Sequence, residues 1–148
     1  MSDPIEVRIE DQELTSLLFR LSQKAVNAAP LMQNIVGIML DSVEENFEKE
    51  GRPDKWEKLA PSIIKQRTKK GYWPGRILQM RGELAASITS KYDKDSAIVG
   101  TNKVYAAIHQ FGGDAGRGRK VKIPARPYLK IEKKGLNKII ATTNNYLT

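Results

Sequence analysis

The sequence contains no cysteine and only one histidine, and each shortage excludes a class of chemistry. Without cysteine there are no disulfides, thiolate nucleophiles or cysteine-based zinc sites. No apolar run approaches the ~20 residues that span a bilayer, and the acidic start at residues 1–10 is unlike a secretory signal. We therefore expect a chain that is made in a cytoplasm, stays soluble and has no membrane partner.

The lone histidine, His109, is the only candidate base for a serine–histidine type of mechanism. Its neighbours in the stretch AIHQFG supply neither a nucleophile nor an orienting acid. The sequence also lacks the histidine–carboxylate patterns that bind metals on helices. We therefore predict that the chain is not an enzyme, that it holds no metal or cofactor, and that His109 is a structural hydrogen-bonding group.

A glycine-rich stretch nearly matches a phosphate-binding loop. Gly113 and Gly118 have the required spacing, but Arg119 and Lys120 follow where a lysine and a hydroxyl residue are needed. The stretch also follows a predicted helix, whereas a P-loop follows a strand. We interpret residues 112–122 as a flexible basic loop at a hairpin tip.

The net charge of +8 is unevenly distributed along the chain. Residues 1–50 carry a balance of −6, and residues 51–148 carry +14. Such a division is typical of a nucleic-acid surface or of complementary contacts between neighbouring copies. A solvated surface with no partner is the third interpretation.

Hydrophobic periodicity predicts several elements. Alternation over residues 5–9 indicates a short strand, and Asp11 is placed to cap the helix that follows. Apolar stripes with helical spacing run through residues 14–25, 36–47 and 136–147. Pro30 suits the first turn of the second of these helices.

The middle of the chain has a different pattern. Residues 51–80 predict a long loop or arm, within which Pro61 begins a short helix ending near residue 67. A helical turn at residues 81–86 leads into a hairpin over residues 87–101, and a short helix at residues 105–111 is stopped by glycines. The prediction is a single α+β domain over residues 1–148, with long helices packed on a small antiparallel sheet.

Nucleic-acid binding is the main alternative to a structural role. Two basic segments, residues 52–81 and 117–134, are interleaved with aromatic side chains that stack on bases in single-strand binders. No helix-turn-helix, RNP or zinc-finger signature is present. The same aromatics suit an arm anchored on its own core or on a neighbour. They are Trp56, Tyr72, Trp73 and Tyr128.

Four stretches together resemble the phage virion-morphogenesis, or tail-completion, family. They are FEKEGRPDKWEKLAPSIIKQR, ILQMRGELAASI, VGTNKVYAAIHQFGG and IPARPYL, in an order and spacing that cover about residues 36–130. The third is the most specific, since it matches V-G-[TS]-x-x-x-Y-A-x-x-H-Q-x-G-G. The resemblance implies a structural assembly protein without cofactor or catalysis.

The resemblance also implies partners and a location. Copies are expected to form a homo-oligomeric ring, a hexamer in the simplest case, that caps the completed tail. The ring is expected to touch tail-tube and head-connector proteins at the head–tail junction of the virion, after assembly in the host cytoplasm. DNA is expected to bind only weakly and without sequence specificity.

Subunit contacts and structural positions follow from the motifs. Large aromatics in the arm and cations in the basic loop are expected to face a neighbouring copy, and Arg126, between two prolines, is expected in an ion pair within the subunit or across the ring. Gly82 and Gly100 are expected where backbones approach closely, and the prolines stiffen an extended segment. The predicted contact residues are Trp56, Trp73, Arg117, Arg119, Lys120, Lys122 and Arg126, and the predicted structural residues are Gly82, Gly100, Tyr105, His109, Gln110, Gly112, Gly113, Pro124 and Pro127.

Overall fold

Along the described residues, four helices are followed by a pair of strands, a short helix, a second pair of strands and a last helix. A computed structural model describes residues 11–24, 27–52, 54–75, 77–78, 83–101, 103, 106–115, 118 and 121–148. Within these residues the architecture is α+β, as predicted, with two separate two-stranded antiparallel sheets. The predicted strand at residues 5–9 lies outside the described residues. The elements are α1 (Gln12–Ser22), α2 (Ala29–Glu48), α3 (Pro61–Lys69), α4 (Glu83–Ala86), β1 (Thr89–Tyr92), β2 (Ala97–Gly100), α5 (Ala106–Phe111), β3 (Gly113–Ala115), β4 (Val121–Ile123) and α6 (Lys133–Leu147).

The first helix begins where the sequence predicts. The Asp11 carboxylate accepts a hydrogen bond from the Leu14 N–H at 2.9 Å, which satisfies a first-turn amide. Leu17 and Leu21 of the predicted stripe are buried, whereas Leu18 is partly exposed. Helix α1 therefore covers the core with a narrow apolar face.

Helices α2 and α6 pack against each other closely. Pro30 lies in the first turn of α2, as predicted. A Cβ at Gly135 of α6 would lie 3.1 Å from the Ser42 Oγ of α2, so the small residue lets the two helices approach. In addition to its predicted stripe, α2 buries Leu31, Met32 and Ile35 near its start.

The hairpin of β1 and β2 is confirmed, together with its polar turn. The Asp93 carboxylate accepts from the N–H groups of Asp95 (2.7 Å) and Ser96 (2.8 Å), which closes the turn. The role predicted for Gly100 is wrong, because a Cβ there would meet nothing within 4 Å. Gly100 pairs with Thr89 at the open end of the hairpin.

The second ribbon corrects the prediction of a flexible loop over residues 112–122. Both ends of that segment are ordered strands, since β3 pairs with β4 in antiparallel register. Gly112, which ends α5 as predicted, has φ +74°, and a Cβ there would lie 2.8 Å from the Ala125 N. Only glycine fits this turn without displacing the following segment.

The buried apolar side chains form two clusters. The helical cluster joins α1, α2 and α6, and the motif cluster joins the end of α2 to the segments that carry the family resemblance. The helical cluster is Leu17, Leu21, Ala28, Leu31, Met32, Ile35, Ile139 and Leu147. The motif cluster is Val43, Phe47, Trp56, Ile77, Leu78, Leu84, Ala106, Tyr128 and Leu129.

No described helix has the length and apolar character needed to cross a bilayer.

Candidate interaction site and its supporting core

Residues 124–130, here called the motif segment, have no regular secondary structure and pair with no strand among the described residues. Buried backbone groups of this kind need partners other than a sheet ladder. Gln110 of α5 supplies three of them. Its Oε1 accepts from the Tyr128 N–H (3.0 Å) and the Leu129 N–H (2.8 Å), and its Nε2 donates to the Leu129 carbonyl at 3.1 Å. The buried amide of Gln110 thus supplies hydrogen bonds of the kind that a neighbouring strand would otherwise make.

Asn46 of α2 holds the same segment from the other side. Its Nδ2 donates to the carbonyls of Tyr128 (2.9 Å) and Lys130 (2.8 Å). The side chain is 1% exposed, so these bonds satisfy groups that water does not reach. Sequence reasoning missed Asn46, although an asparagine on the apolar side of a predicted helix is a usable signal.

Arg52 is a second residue that sequence reasoning missed. Its guanidinium forms ion pairs with Glu45 of α2 and, at 3.0 Å, with Glu132 at the start of α6. It also donates to the Asn46 Oδ1 and the Ser42 carbonyl, both at 3.2 Å. A cation past the end of α2 is favoured by the helix dipole, and here it also ties α2 to α6.

Trp56 lies in the core of its own subunit, which corrects its assignment to a subunit contact. The indole is 7% exposed and packs edge-on against Phe47, with ring centroids 6.1 Å apart. Its Nε1–H donates to the Pro127 carbonyl at 3.1 Å. The tight turn at Gly51, where a Cβ would lie 2.7 Å from the Trp56 N, folds this side chain back onto α2. A tryptophan with both its ring and its N–H satisfied internally has little left for a neighbour.

Tyr128 completes this aromatic group. The side chain is fully buried, and its ring lies 5.2 Å from the Phe47 ring between centroids. Its hydroxyl donates to the Ala106 carbonyl at 2.8 Å, which fixes the start of α5. Tyr128 therefore links α2, α5 and the motif segment.

Arg126 is buried and forms no ion pair with a described residue of its own subunit, so of the two expected pairs only the one across the ring stays a prediction. Its Nε donates to the Glu57 carbonyl at 3.0 Å and its Nη2 to the Lys58 carbonyl at 3.3 Å, both within the subunit. Burial lowers the pKa of Arg126, and the nearby Glu57 opposes that change. The guanidinium thus fastens the loop before α3 to the motif segment through carbonyl oxygens.

His109 lies beside this arginine. Its backbone carbonyl accepts from the Arg126 N–H at 2.8 Å. Desolvation, together with the positive charges of Arg126 and Arg67, lowers the pKa of His109 below its usual 6.5, so the neutral ring predominates at neutral pH. The hydrogen bonds expected of its ring nitrogens stay a prediction.

The other predicted positions have different outcomes. Pro124 and Pro127 are half-buried in the motif segment, where the stiffening expected of them stays a prediction, and Gly113 begins β3. Trp73 is half-buried, and Lys122 is exposed on β4 opposite Asp114, so neither position settles a subunit contact. Five predicted residues lie outside the described residues: Gly82, Tyr105, Arg117, Arg119 and Lys120.

The surface beside the motif segment is an open groove of about 250 Å³, which includes Arg52, Lys55, Trp56 and Lys130. Two of its cations already contact the subunit's own backbone: the Lys55 Nζ donates to the Lys49 carbonyl, and the Lys130 Nζ to the Arg52 carbonyl, both at 3.1 Å. Across the described residues, no group of three acids or histidines is close enough to hold a metal ion. This arrangement supports backbone geometry and presents no paired nucleophile and base.

Comparisons with known proteins agree with the sequence motifs. The model of the phage virion morphogenesis family matches residues 9–148. The "Mu-like prophage FluMu G protein 2" of Haemophilus influenzae is 53% identical over 126 residues, covering 84% of this chain and 83% of that protein. The "Putative capsid assembly protein G" of Escherichia phage Mu is 42% identical over 105 residues, covering 68% and 67%. The "Mu-like prophage FluMu G protein 1" of Haemophilus influenzae is 29% identical over 148 residues, covering 97% and 95%. No solved structure matches the chain significantly.

Proposed function

The chain belongs to the phage virion morphogenesis family, and on that premise we propose that it is a structural, non-enzymatic subunit that completes the tail and prepares it for joining to the head. Copies form a ring, a hexamer in the simplest case, at the head–tail junction. The ring contacts tail-tube and head-connector proteins. It assembles in the host cytoplasm and stays in the virion.

One observation supports a structural role most strongly. Three buried side chains of the family motifs, Gln110, Arg126 and Trp56, direct their polar groups to the subunit's own backbone. A catalytic site instead directs such groups toward a space where a substrate fits. Motif residues that hold the subunit's own backbone make it rigid. A subunit that presents fixed surfaces to several neighbours needs such rigidity.

The proposal is tested by deleting the coding sequence from an inducible phage that carries it and imaging the lysate by electron microscopy. The expected result is DNA-filled heads alongside separate tails with abnormal ends. Adding the purified chain to that lysate should restore joined, infectious particles. The His109→Gln chain lacks the only candidate catalytic base. A structural role predicts that this variant, once circular dichroism shows it to be folded, still restores joined particles.

A different defect would support a different role. The name of the phage Mu relative refers to capsid assembly, and that role predicts absent or malformed heads when the chain is missing. Normal joined particles in the deletion lysate would contradict both assembly roles. The image of the lysate therefore separates tail completion from capsid assembly.

A further inference from the structure

Helix α3 has no buried residue, although a helix of nine residues is too short to be stable from its own propensity. Its inner side is partly covered at Ile64 and Arg67, and the Arg67 Nη2 donates to the Ile77 carbonyl at 2.8 Å. Residues 58–70 carry five cations and no acid. The outward side of α3 is exposed, and its residues have the spacing i, i+3, i+4 and i+7: Ser62, Lys65, Gln66 and Lys69.

The solvent face of α2 has the opposite charge. Beyond the exposed Pro30 of the first turn, six exposed residues lie along this side of the helix, including three acids and no cation. The helix is 20 residues long and anchored by eight buried side chains, so this face is rigid. Its residues are Gln33, Asn34, Gly37, Asp41, Glu44 and Glu48.

Gly37 is an independent sign of contact on this face. It lies within the long helix α2, where glycine is less favourable than alanine. A Cβ at Gly37 would meet nothing within 4 Å, so no described part of the subunit requires glycine there. An exposed glycine on a helix lets another backbone approach closely. The choice of glycine at position 37 is explained if the backbone of another molecule packs against α2 there.

We propose that the outward side of α3 in one copy docks on the solvent face of α2 in the next copy, with Lys65 and Lys69 near Asp41 and Glu44. A second copy is the partner that the charges favour, because every copy carries both surfaces and the cations of α3 are opposite in sign to the exposed acids of α2. The two surfaces are complementary but different, and such head-to-tail contacts close into rings or continue as helices. The inference rests on the proposed ring and names the contact that builds it.

The test uses two full-length variants of opposite design, Lys65→Glu with Lys69→Glu, and Asp41→Lys with Glu44→Lys. Each variant alone sets like charges against each other across the contact, so its self-association should weaken at least about tenfold. An equimolar mixture restores opposite charges at every contact and should recover association to within about threefold of the unchanged chain. Sedimentation velocity over a concentration series measures all three samples.

Two controls isolate the contact from general effects of charge and folding. Lys91→Glu with Lys94→Glu changes the net charge equally on the exposed hairpin and should leave association unchanged. Gly37→Gln adds a side chain without charge; it should raise the thermal unfolding midpoint and still weaken association about tenfold. Circular dichroism confirms that each variant is folded.

Several results would overturn the inference. These are a monomeric unchanged chain at all concentrations, variants that associate normally, a mixture that does not recover, or normal association of Gly37→Gln. Loss of duplex DNA binding by the α3 variant with unchanged sedimentation would assign α3 to phosphate instead. The lysate image is independent of all these results: charge-swap recovery with normal particles in the deletion lysate would keep the contact and reject the proposed function.

Discussion

The motif cluster and the helical cluster are both buried, but different interactions stabilise the backbone around each of them. The helical cluster is made of regular helices whose backbone groups bond within each helix, so any well-fitting apolar side chains stabilise it. The motif cluster surrounds an irregular segment that pairs with no described strand, and Gln110, Asn46 and Trp56 form hydrogen bonds with that segment's backbone. Irregular backbone needs particular polar side chains at particular positions. This explains physically why the recognisable motifs lie around one cluster and the ends of the chain are outside them.

The largest expected effect tests whether Trp56 belongs to the motif cluster. Trp56→Ala should lower the free energy of unfolding by about 3–5 kcal/mol, because it leaves a cavity and an unsatisfied Pro127 carbonyl. Urea unfolding followed by circular dichroism measures the change. Trp73→Ala is the matched control, since Trp73 is only half-buried and should cost clearly less. Equal losses would contradict the distinction between the two tryptophans.

The next largest effect tests whether polar side chains stabilise the motif cluster. Gln110→Ala removes the partner of three backbone groups and should cost about 2–3 kcal/mol, because at least one buried group is left without a hydrogen bond. Gln66→Ala, on the exposed side of α3, should change stability by less than ~0.5 kcal/mol. The same urea titration applies. A Gln110 variant as stable as the unchanged chain would mean that the motif segment does not depend on this amide.

A glycine pair tests the backbone geometry around the motif segment. Gly112→Ala should cost more than about 1 kcal/mol, because φ is +74° and the new Cβ would lie 2.8 Å from the Ala125 N. Gly100→Ala, whose Cβ meets nothing, should be close to neutral. Thermal unfolding of the two variants side by side gives the difference. Similar midpoints would refute the close approach at Gly112.

The smallest expected effect depends on pH. The pKa of His109 is lowered in the folded chain, so below pH 6.5 the unfolded chain binds a proton that the folded chain resists. His109 therefore contributes full relative stability above pH 6.5 and loses it as the pH falls through the lowered pKa. Thermal midpoints between pH 7.5 and pH 5 should fall more for the unchanged chain than for His109→Gln. Parallel curves would show that His109 does not titrate in this way.

Local features of the fold could be predicted from the sequence. The Asp11 cap, the stripes of α2 and α6, and the hairpin of β1 and β2 depend on residues close together in the chain. The same holds for the end of α5 at Gly112. For these elements, spacing and turn chemistry were sufficient.

The site was harder to predict because its contacts join distant residues. Asn46 and Tyr128 are 82 positions apart, and Trp56 and Pro127 are 71 positions apart. No periodicity links such residues, so Trp56 in a proline- and glycine-rich stretch looked free to meet a neighbour. Arg126 was expected to pair with a carboxylate, but the carbonyls it binds belong to a loop whose path the sequence does not reveal.

The central claim is that the motif residues act within one subunit. The most direct measurement is the unfolding free energy of Trp56→Ala relative to the unchanged chain, taken at two protein concentrations, one below and one above the onset of self-association. The account predicts the same loss at both concentrations, because the indole ring packs in the core of its own subunit and its N–H donates to the Pro127 carbonyl of the same subunit. A loss that appears only at the higher concentration would place Trp56 at a contact between copies and contradict the account.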